Sequence, residues 1–283
     1  MSALSIRPMS REDLYAVVGW AAAESWNPGL DDVPVFHAAD RDGFLVGSLD
    51  GERVASVSVV NYGPGFAFLG LYICRPEFRG QGHGFALWQA GLAHAGARTI
   101  GLDGVVAQQT KYAAQGFVLA HRNVRYGGVV SGAKPVRARV VERMPGDARL
   151  DAAIVAYDRP FFGGPRSAFL RAWLSSPTRR TFAWIEDGAV RGYGSIRPSI
   201  TGHRIGPLFA DSETIADGLF QTMAAYRDRS VLFLDVSEPN PDAVRLAIRH
   251  GLAPSFETAR MYRGPAPALP LDRIYGVTTL ELG

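Results

Sequence analysis

A strand, a glycine-rich turn and a helix follow one another at residues 66–95, and this stretch constrains the fold more than any other. The apolar run Phe66–Ile73 predicts a buried strand, which Arg75-Pro76 ends. Residues 79–84 read Arg-Gly-Gln-Gly-His-Gly, and apolar residues then recur at helical spacing. The first N–H groups of a helix lack intrahelical partners, and glycines allow phosphates to approach them. The turn is therefore a candidate anion-binding site.

Three phosphate-binding patterns can be compared with this turn. A Walker A loop requires Lys-Ser/Thr after its last glycine, but Phe85-Ala86 follow here, so that pattern is excluded. A dinucleotide fingerprint requires glycine at position 85, although Asp103 lies near the expected acidic distance and keeps this option open. The third pattern, Arg/Gln-x-x-Gly-x-Gly/Ala, is satisfied by residues 79–84. A tight helix entry with incidental glycines is the purely structural alternative.

Length and composition indicate a globular protein of two domains. The 283 residues predict two domains, and a hydrophobic share of 47% is ordinary for a protein with a full core. No apolar run reaches the ~18 residues that a membrane span requires, and no signal peptide is apparent. Cys74 is the single cysteine, so neither an intramolecular disulfide nor a cysteine metal cluster is expected. A cytoplasmic location without metal or membrane partners fits best.

The charge pattern argues against nucleic-acid binding. The formal net charge is +3, and Lys111 and Lys134 are the two lysines among 30 basic residues. No arginine cluster is interleaved with aromatic residues, as a nucleic-acid surface would require. The expected partner is a small molecule. The oligomeric state stays open, with a homodimer as one option.

The first half of the chain alternates strand and helix signals. Ser10 and Asp13 form a capping-box pattern at the start of a helix, and Asp31 or Asp32 is the expected cap of a second, short helix. Asp50-Gly51 is a hairpin signal. The predicted strands are 4–8, 43–48, 53–60, 66–74, 98–102 and 117–126, and the predicted helices begin near residues 10, 33, 85 and 108.

This order, together with residues 79–84 and Tyr112–Phe117 (Tyr-Ala-Ala-Gln-Gly-Phe), resembles the GNAT acyltransferases over roughly residues 3–128. The resemblance implies that acetyl-CoA is the co-substrate, that its pyrophosphate lies on the glycine turn and that Tyr112 protonates the departing CoA thiolate. The alternative for Tyr112 is an ordinary helix tyrosine packed under the sheet. The family often has Asn where Val105 stands, and Gln108 or Gln109 is the candidate replacement.

The resemblance also implies two groups of binding residues. In the family the first two helices and their loop line the acceptor site. The corresponding stretch here, residues 24–42, is acidic, and this favours a cationic amine as the acceptor. The alternative is that these residues are solvated caps and turns around a core tryptophan. No general base stands out. The implied cofactor residues are Tyr72, Ile73, Cys74, Arg79, Gly80, Gln81, Gly82, His83 and Gly84, and the implied substrate residues are Trp26, Asn27, Asp31 and Asp32.

The second half repeats the plan of the first with its site residues replaced. Asp187-Gly188 repeats the hairpin signal, but residues 211–213 read Asp-Ser-Glu at the helix entry and Ala247 stands in the tyrosine's place. Acids there would repel a pyrophosphate. Trp26–Gly29 and the end of the chain, Tyr275–Gly283, are similar to a bacterial group of tandem GNAT proteins related to YitH.

The sequence therefore predicts an α+β protein of two tandem GNAT-like domains, each a mixed, mostly antiparallel sheet flanked by helices. Residues 1–128 would be the catalytic domain, 129–145 a linker and 146–283 a degenerate domain that walls the acceptor site or completes the first sheet. The segment Ile274–Leu282 is predicted to be a strand that ties the halves together. The predicted reaction is acetyl transfer to an amine. A non-catalytic acyl-CoA-binding protein is the main alternative, and a nucleotide-binding oxidoreductase is a distant third.

Overall fold

The computed structural model describes residues 3–136 and 138–283, and these form one mixed sheet of 13 strands against which the helices pack. Met1, Ser2 and Arg137, which fall in the predicted first domain and linker, lie outside the described residues. The strands are β1 (Ser5–Pro8), β2 (Phe44–Leu49), β3 (Glu52–Tyr62), β4 (Phe66–Cys74), β5 (Thr99–Val105), β6 (Val118–Val129), β7 (Val140–Glu142), β8 (Arg180–Glu186), β9 (Ala189–Pro198), β10 (His203–Ala210), β11 (Val231–Ser237), β12 (Ala253–Arg263) and β13 (Ile274–Gly276). The helices are α1 (Arg11–Ala23), α2 (Asp32–Ala39), α3 (His83–Ala95), α4 (Gln109–Ala113), α5 (Ala148–Asp158), α6 (Ser167–Ser175), α7 (Glu213–Tyr226) and α8 (Pro241–Arg249).

Local sequence signals account for several of these boundaries. The predicted capping box starts α1, because the Ser10 hydroxyl accepts from the Asp13 N–H at 3.1 Å and the Asp13 carboxylate accepts from the Ser10 N–H at 2.8 Å. Asp50 and Gly51 turn from β2 to β3 with φ of 48° and 84°, the left-handed values of a tight hairpin. Asp187-Gly188 makes the same turn between β8 and β9.

In the first half, successive apolar side chains of a strand point to opposite faces of the sheet, and a hydrophobic core forms on each face. On β4, Phe66 and Phe68 pack with α1 and α2 residues, whereas Ala67 and Leu69 pack with α3 residues such as Leu87. Successive strand residues point to opposite faces, so the two clusters lie on opposite sides of the sheet. The second half has a core of its own around α7 and α8.

The two halves exchange a strand. The sequence predicts that the second half could complete the first sheet, but it assigns the tie to Ile274–Leu282 and not to β12. The strand order is β1-β2-β3-β4-β5-β12-β6-β11-β10-β9-β8-β7, so β12 from the second half lies between β5 and β6 of the first. Met261 pairs with Leu102 on one side and Leu119 on the other. The predicted mixed, mostly antiparallel character is confirmed, with β4–β5 and β10–β11 as the parallel pairs. The halves nevertheless share one continuous sheet.

Each half has a parallel strand pair that separates partway along. In the first half β4 and β5 pair from Phe66–Thr99 to Leu69–Leu102 and then diverge. In the second half β10 and β11 pair as far as Ile205–Leu234, and beyond this point β13 pairs with β10. The gap between β4 and β5 in the first half is open, whereas the corresponding gap between β10 and β11 is filled by β13.

The prediction of a strand over Ile274–Leu282 is wrong beyond Gly276. Residues 277–283, called the C-terminal tail below, are buried without being a strand. Their polar groups find other partners: Tyr62 Oη donates to the Leu282 carbonyl at 3.2 Å, and Arg166 Nη1 donates to the Gly283 carbonyl at 3.2 Å. A Cβ added to Gly70 on β4 would lie 1.9 Å from the Glu281 carbonyl oxygen. The tail therefore reaches into the first half and packs directly on β4.

The predicted linker is partly structured. β6 continues to Val129, and β7 (Val140–Glu142) adds the last strand of the sheet by pairing with β8.

Candidate active site

A cleft of about 660 Å³ opens where β4 and β5 separate. The glycine turn forms one end and Tyr112 part of the wall. The second half supplies Phe256 and Thr258 from β12, and Leu280 and Glu281 from the C-terminal tail. The cleft is therefore assembled from both halves of the chain.

The glycine turn has the geometry of an anion-binding helix start. Gly80 and Gly82 have φ of 78° and 86°, values that favour glycine, and Gly82 is the N-cap of α3. The first turn of the helix closes with the Ala86 N–H donating to the Gly82 carbonyl at 3.0 Å. A Cβ on Gly84 would lie 3.1 Å from the Tyr72 hydroxyl, so the third glycine allows close packing on β4. The residues at the start of α3 line the cleft, and their N–H groups have no acceptors within the helix.

Arg79 and Gln81 contribute differently to this turn. Arg79 Nε donates to the Cys74 carbonyl at 2.9 Å, and its Nη2 pairs with Glu24 at the end of α1. Its half-exposed guanidinium lines the cleft beside the turn, together with the Glu24 carboxylate that pairs with it. Gln81 points elsewhere, since its Nε2 donates to the Glu77 carbonyl at 3.1 Å and the residue does not line the cleft.

The exposed edge of β4 is suited to an extended ligand. Tyr72, Ile73 and Cys74 line the cleft after the last β4–β5 pair, and among the described residues no strand pairs with this edge. A bulge precedes them: Leu71 has φ of 44°, and its carbonyl accepts from Ser56 Oγ at 2.7 Å. Unpaired strand edges bind extended groups through backbone hydrogen bonds.

Tyr112 is held rigidly in the wall of the cleft. Its ring stacks on Trp88 with centroids 5.6 Å apart, and a Cβ on Gly104 would lie 2.2 Å from the ring. Burial raises the pKa of the Tyr112 hydroxyl to about 12. The phenol is therefore protonated at neutral pH and can act as a proton donor. Gln108, the candidate replacement for the family's Asn, lines the same cleft.

The four predicted substrate residues separate into two groups. Trp26 lines the cleft, but Asn27, Asp31 and Asp32 do not. Asn27 instead exchanges two hydrogen bonds with the backbone of Thr201, at 3.0 and 2.8 Å.

Asp31 and Asp32 tie the start of α2 to the second half. Asp31 accepts from Ser176 and Thr178 and makes no side-chain cap. Asp32 is fully buried, with Arg179 at 2.8 Å and Arg197 at 3.0 Å. Burial alone would raise the pKa of the Asp32 carboxyl, but these two arginines hold it below its usual range. The expectation that these acids bind the acceptor loses its geometric support.

The residues that sequence reasoning missed come mainly from distant parts of the chain. Arg125 lines the cleft and is fixed by Asp235 at 2.6 Å and by the Trp26 carbonyl at 2.6 Å. Phe256 lies under the Arg125 guanidinium, 5.5 Å from ring centroid to Cζ. No local motif marks these positions: the exchange of β12 brings Phe256 to the site, and the partner that fixes Arg125, Asp235, lies 110 positions away.

The second half does not reproduce this site. Ser212 caps α7 by accepting from the Ile215 N–H at 3.4 Å, and Asp211 is held by Tyr157 and Arg273. Ala247, in the tyrosine's position, is fully buried. Within the described residues no group of acids, histidines and cysteines could hold a metal, and no helix is long and apolar enough to cross a membrane.

Comparisons with known proteins agree with this architecture. A model described as the acetyltransferase (GNAT) family matches residues 10–118, and one described as an acetyltransferase (GNAT) domain matches residues 154–276. A holothin acyltransferase from Pseudoalteromonas sp. (strain SANK 73390) is 32% identical over 282 residues, which cover 98% of this chain and 94% of that protein.

Two solved structures share the fold over nearly the whole chain. A Pyrococcus horikoshii protein, provisionally assigned as an acetyltransferase, superposes with a TM-score of 0.84 at 23% identity and covers 100% of this chain and 97% of its own. A tandem GNAT protein from the clavulanic acid biosynthesis pathway has a TM-score of 0.65 at 17% identity and covers 93% of this chain and 100% of its own. The chain therefore belongs to the GNAT family of acyltransferases and carries two GNAT domains in tandem.

Proposed function

We propose that this chain transfers an acetyl group from acetyl-CoA to an amine, and that the first half carries the chemistry. The observation that supports this most directly is the continuity of the cleft. The helix start at Gly82, the unpaired edge of β4 and the buried hydroxyl of Tyr112 all line one cavity. A phosphate-bearing, extended thioester would meet an anion site, a backbone edge and a proton donor in turn.

The geometry suggests a direct transfer in a ternary complex. The N–H groups at the start of α3 bind the pyrophosphate, and the pantetheine arm lies along Tyr72–Cys74 as an added strand. The amine nitrogen attacks the thioester carbonyl, forming the C–N bond as the C–S bond breaks. The Tyr112 hydroxyl then gives its proton to the sulfur, and the proton that leaves the nitrogen passes to water, from which the phenolate is reprotonated.

The second half is proposed to bind no CoA. Its equivalent strand split is closed by β13, whose Ile274 and Gly276 pair with β10 where the open edge of β4 lies in the first half. At its helix entry Asp211 and Glu213 stand in place of the glycines, and they are already paired with Arg273 and Arg249. One binding site per chain is therefore expected.

The test combines calorimetry with turnover. Titrating CoA into the full chain should give one site, and incubating the protein with acetyl-CoA and a panel of amines should release free thiol. Two sites of similar affinity would contradict the assignment to the first half, and a protein that binds no CoA would contradict the proposal as a whole.

A non-catalytic acyl-CoA-binding protein is the second candidate. It is favoured by Val105, which stands where the family often has Asn. CoA binding without thiol release, across cationic, neutral and anionic amines, would support this candidate over the enzyme.

A further inference from the structure

Glu281 is a buried carboxylate in the cleft that the mechanism above does not use. It is 4% exposed and belongs to the C-terminal tail, yet it lines the cleft of the first half. Its backbone carbonyl packs on Gly70, the residue that follows the last β4–β5 pair. The tail therefore places this carboxylate where the two strands separate, beside the edge proposed to hold the thioester.

One oxygen of this carboxylate is bound and the other is free. Oε1 accepts from Arg204 Nη1 at 3.2 Å, and the same guanidinium binds Asp235 through Nη2 at 2.6 Å. Oε2 is buried and has no hydrogen-bond partner among residues 3–136 and 138–283. Burying a charged acceptor without a partner is costly, so an unpartnered oxygen on a residue that lines a cavity indicates a missing donor.

The other carboxylates that line the described cleft are already occupied. Both carboxylate oxygens of Asp103 accept hydrogen bonds from Arg260, at 2.8 and 2.6 Å, and Asn123 donates a third hydrogen bond at 2.8 Å. Glu24 pairs with Arg79 at the mouth. Glu281 is thus the lining acid whose second oxygen has no partner within the described residues.

Neighbouring residues indicate what kind of ligand would fit. Thr258 on β12 is 1% exposed, and its Oγ1 also lacks a partner within the described residues. Trp26 and Phe256 add aromatic surface to the same cleft. A molecule with an apolar, ring-like body and an N–H donor would satisfy this environment.

We infer that Glu281 Oε2 binds the acceptor, accepting a hydrogen bond from the nitrogen that attacks the thioester. This inference rests on the proposed function and adds to it that the second half supplies the group that recognises the acceptor. The residue acts on the acceptor alone, since the residues proposed to bind CoA all belong to the first half.

Calorimetry with a bisubstrate compound tests the inference. The compound carries CoA whose sulfur is joined through an acetyl group to tryptamine, so its amide N–H occupies the place of the attacking nitrogen. The natural chain should bind it at least ~10-fold more tightly than CoA, which is what one hydrogen bond to a charged group is worth. In Glu281→Gln, the amide oxygen would accept from Arg204 as Oε1 does, and the NH₂ group would take the place of Oε2. Most of that gain should then disappear, whereas CoA affinity should stay within about twofold.

Leu282→Ala is the matched control, because it loosens the same tail without changing the carboxylate. Leu282 is fully buried in the core and does not line the cleft. This variant should melt at a lower temperature but keep the ratio of bisubstrate to CoA affinity. The inference is overturned if Glu281→Gln keeps the gain, if Leu282→Ala loses it equally, or if the natural chain shows no gain. Failure of the natural chain to bind CoA would instead remove the proposed function, and this inference with it.

Discussion

Gly82→Val gives the sharpest test of the proposed anion-binding turn. Gly82 has φ of 86°, and a Cβ there would meet no atom within 4 Å. The variant therefore has space for its side chain but must hold a β-branched residue in a left-handed conformation, at a cost of about 1–3 kcal/mol. The new side chain also projects where phosphates would approach. Loss of two charge-assisted N–H bonds, at about 1.5 kcal/mol each, predicts a CoA affinity at least ~100-fold weaker.

Gly146→Val separates the loss of binding from the backbone strain. Gly146 also has φ of 86° with no atom within 4 Å of its Cβ position, but it lies in the turn before α5, outside the cleft. Both variants should lose similar stability in thermal melts, and only Gly82→Val should lose CoA affinity by calorimetry. Unchanged CoA affinity in Gly82→Val, or equal loss in both variants, would refute the reasoning.

Three further predictions concern Tyr112, the buried carboxylate of Asp32 and the exchanged strand β12. Tyr112→Phe should lower turnover by about 100-fold with little change in CoA affinity, measured by thiol release and calorimetry. Because the pKa of Tyr112 is about 12, its ionisation should produce no fall in the rate between about pH 7 and 10. Asp32→Asn leaves two buried arginines without their carboxylate and should cost about 3 kcal/mol in denaturant unfolding, with acceptor KM unchanged. Since the pKa of Asp32 is depressed, its contribution is present above about pH 4 and should be lost as pH falls below that. Deleting residues 140–283 removes β12 from between β5 and β6, so the fragment should be insoluble or unfolded by circular dichroism, and a soluble, CoA-binding fragment would contradict this.

Features encoded by adjacent residues were predictable from the sequence. The glycine turn, the capping box at Ser10 and the Asp50-Gly51 hairpin depend on neighbouring positions, and all lie where the pattern placed them. Tyr112 could be located because its short helix follows β5 directly, although its catalytic role stays a prediction.

Features that depend on distant partners were not predictable. Asp32 reads as an exposed cap in its own segment, but its partner Arg179 lies 147 positions away. Glu281 belongs to a segment with strand-like composition, and nothing near it shows that the tail crosses to β4. The position of β12 between β5 and β6 could not be predicted either, because an apolar strand can pair with any compatible strand edge. Single-sequence patterns report local conformation and burial, whereas these contacts are set by topology.

The exchanged strand also bears on how the chain folds as it is synthesised. The ion pair between Arg260 on β12 and Asp103 on β5 joins residues 157 positions apart. At ~5–20 residues per second, roughly 8–30 s separate the emergence of β5 from that of its partner strand. During that interval the edges of β5 and β6 are unpaired, which is a hazard for aggregation and makes folding intrinsically slow. Once β12 is inserted, neither half can open without breaking the sheet of the other, so both should unfold in a single transition.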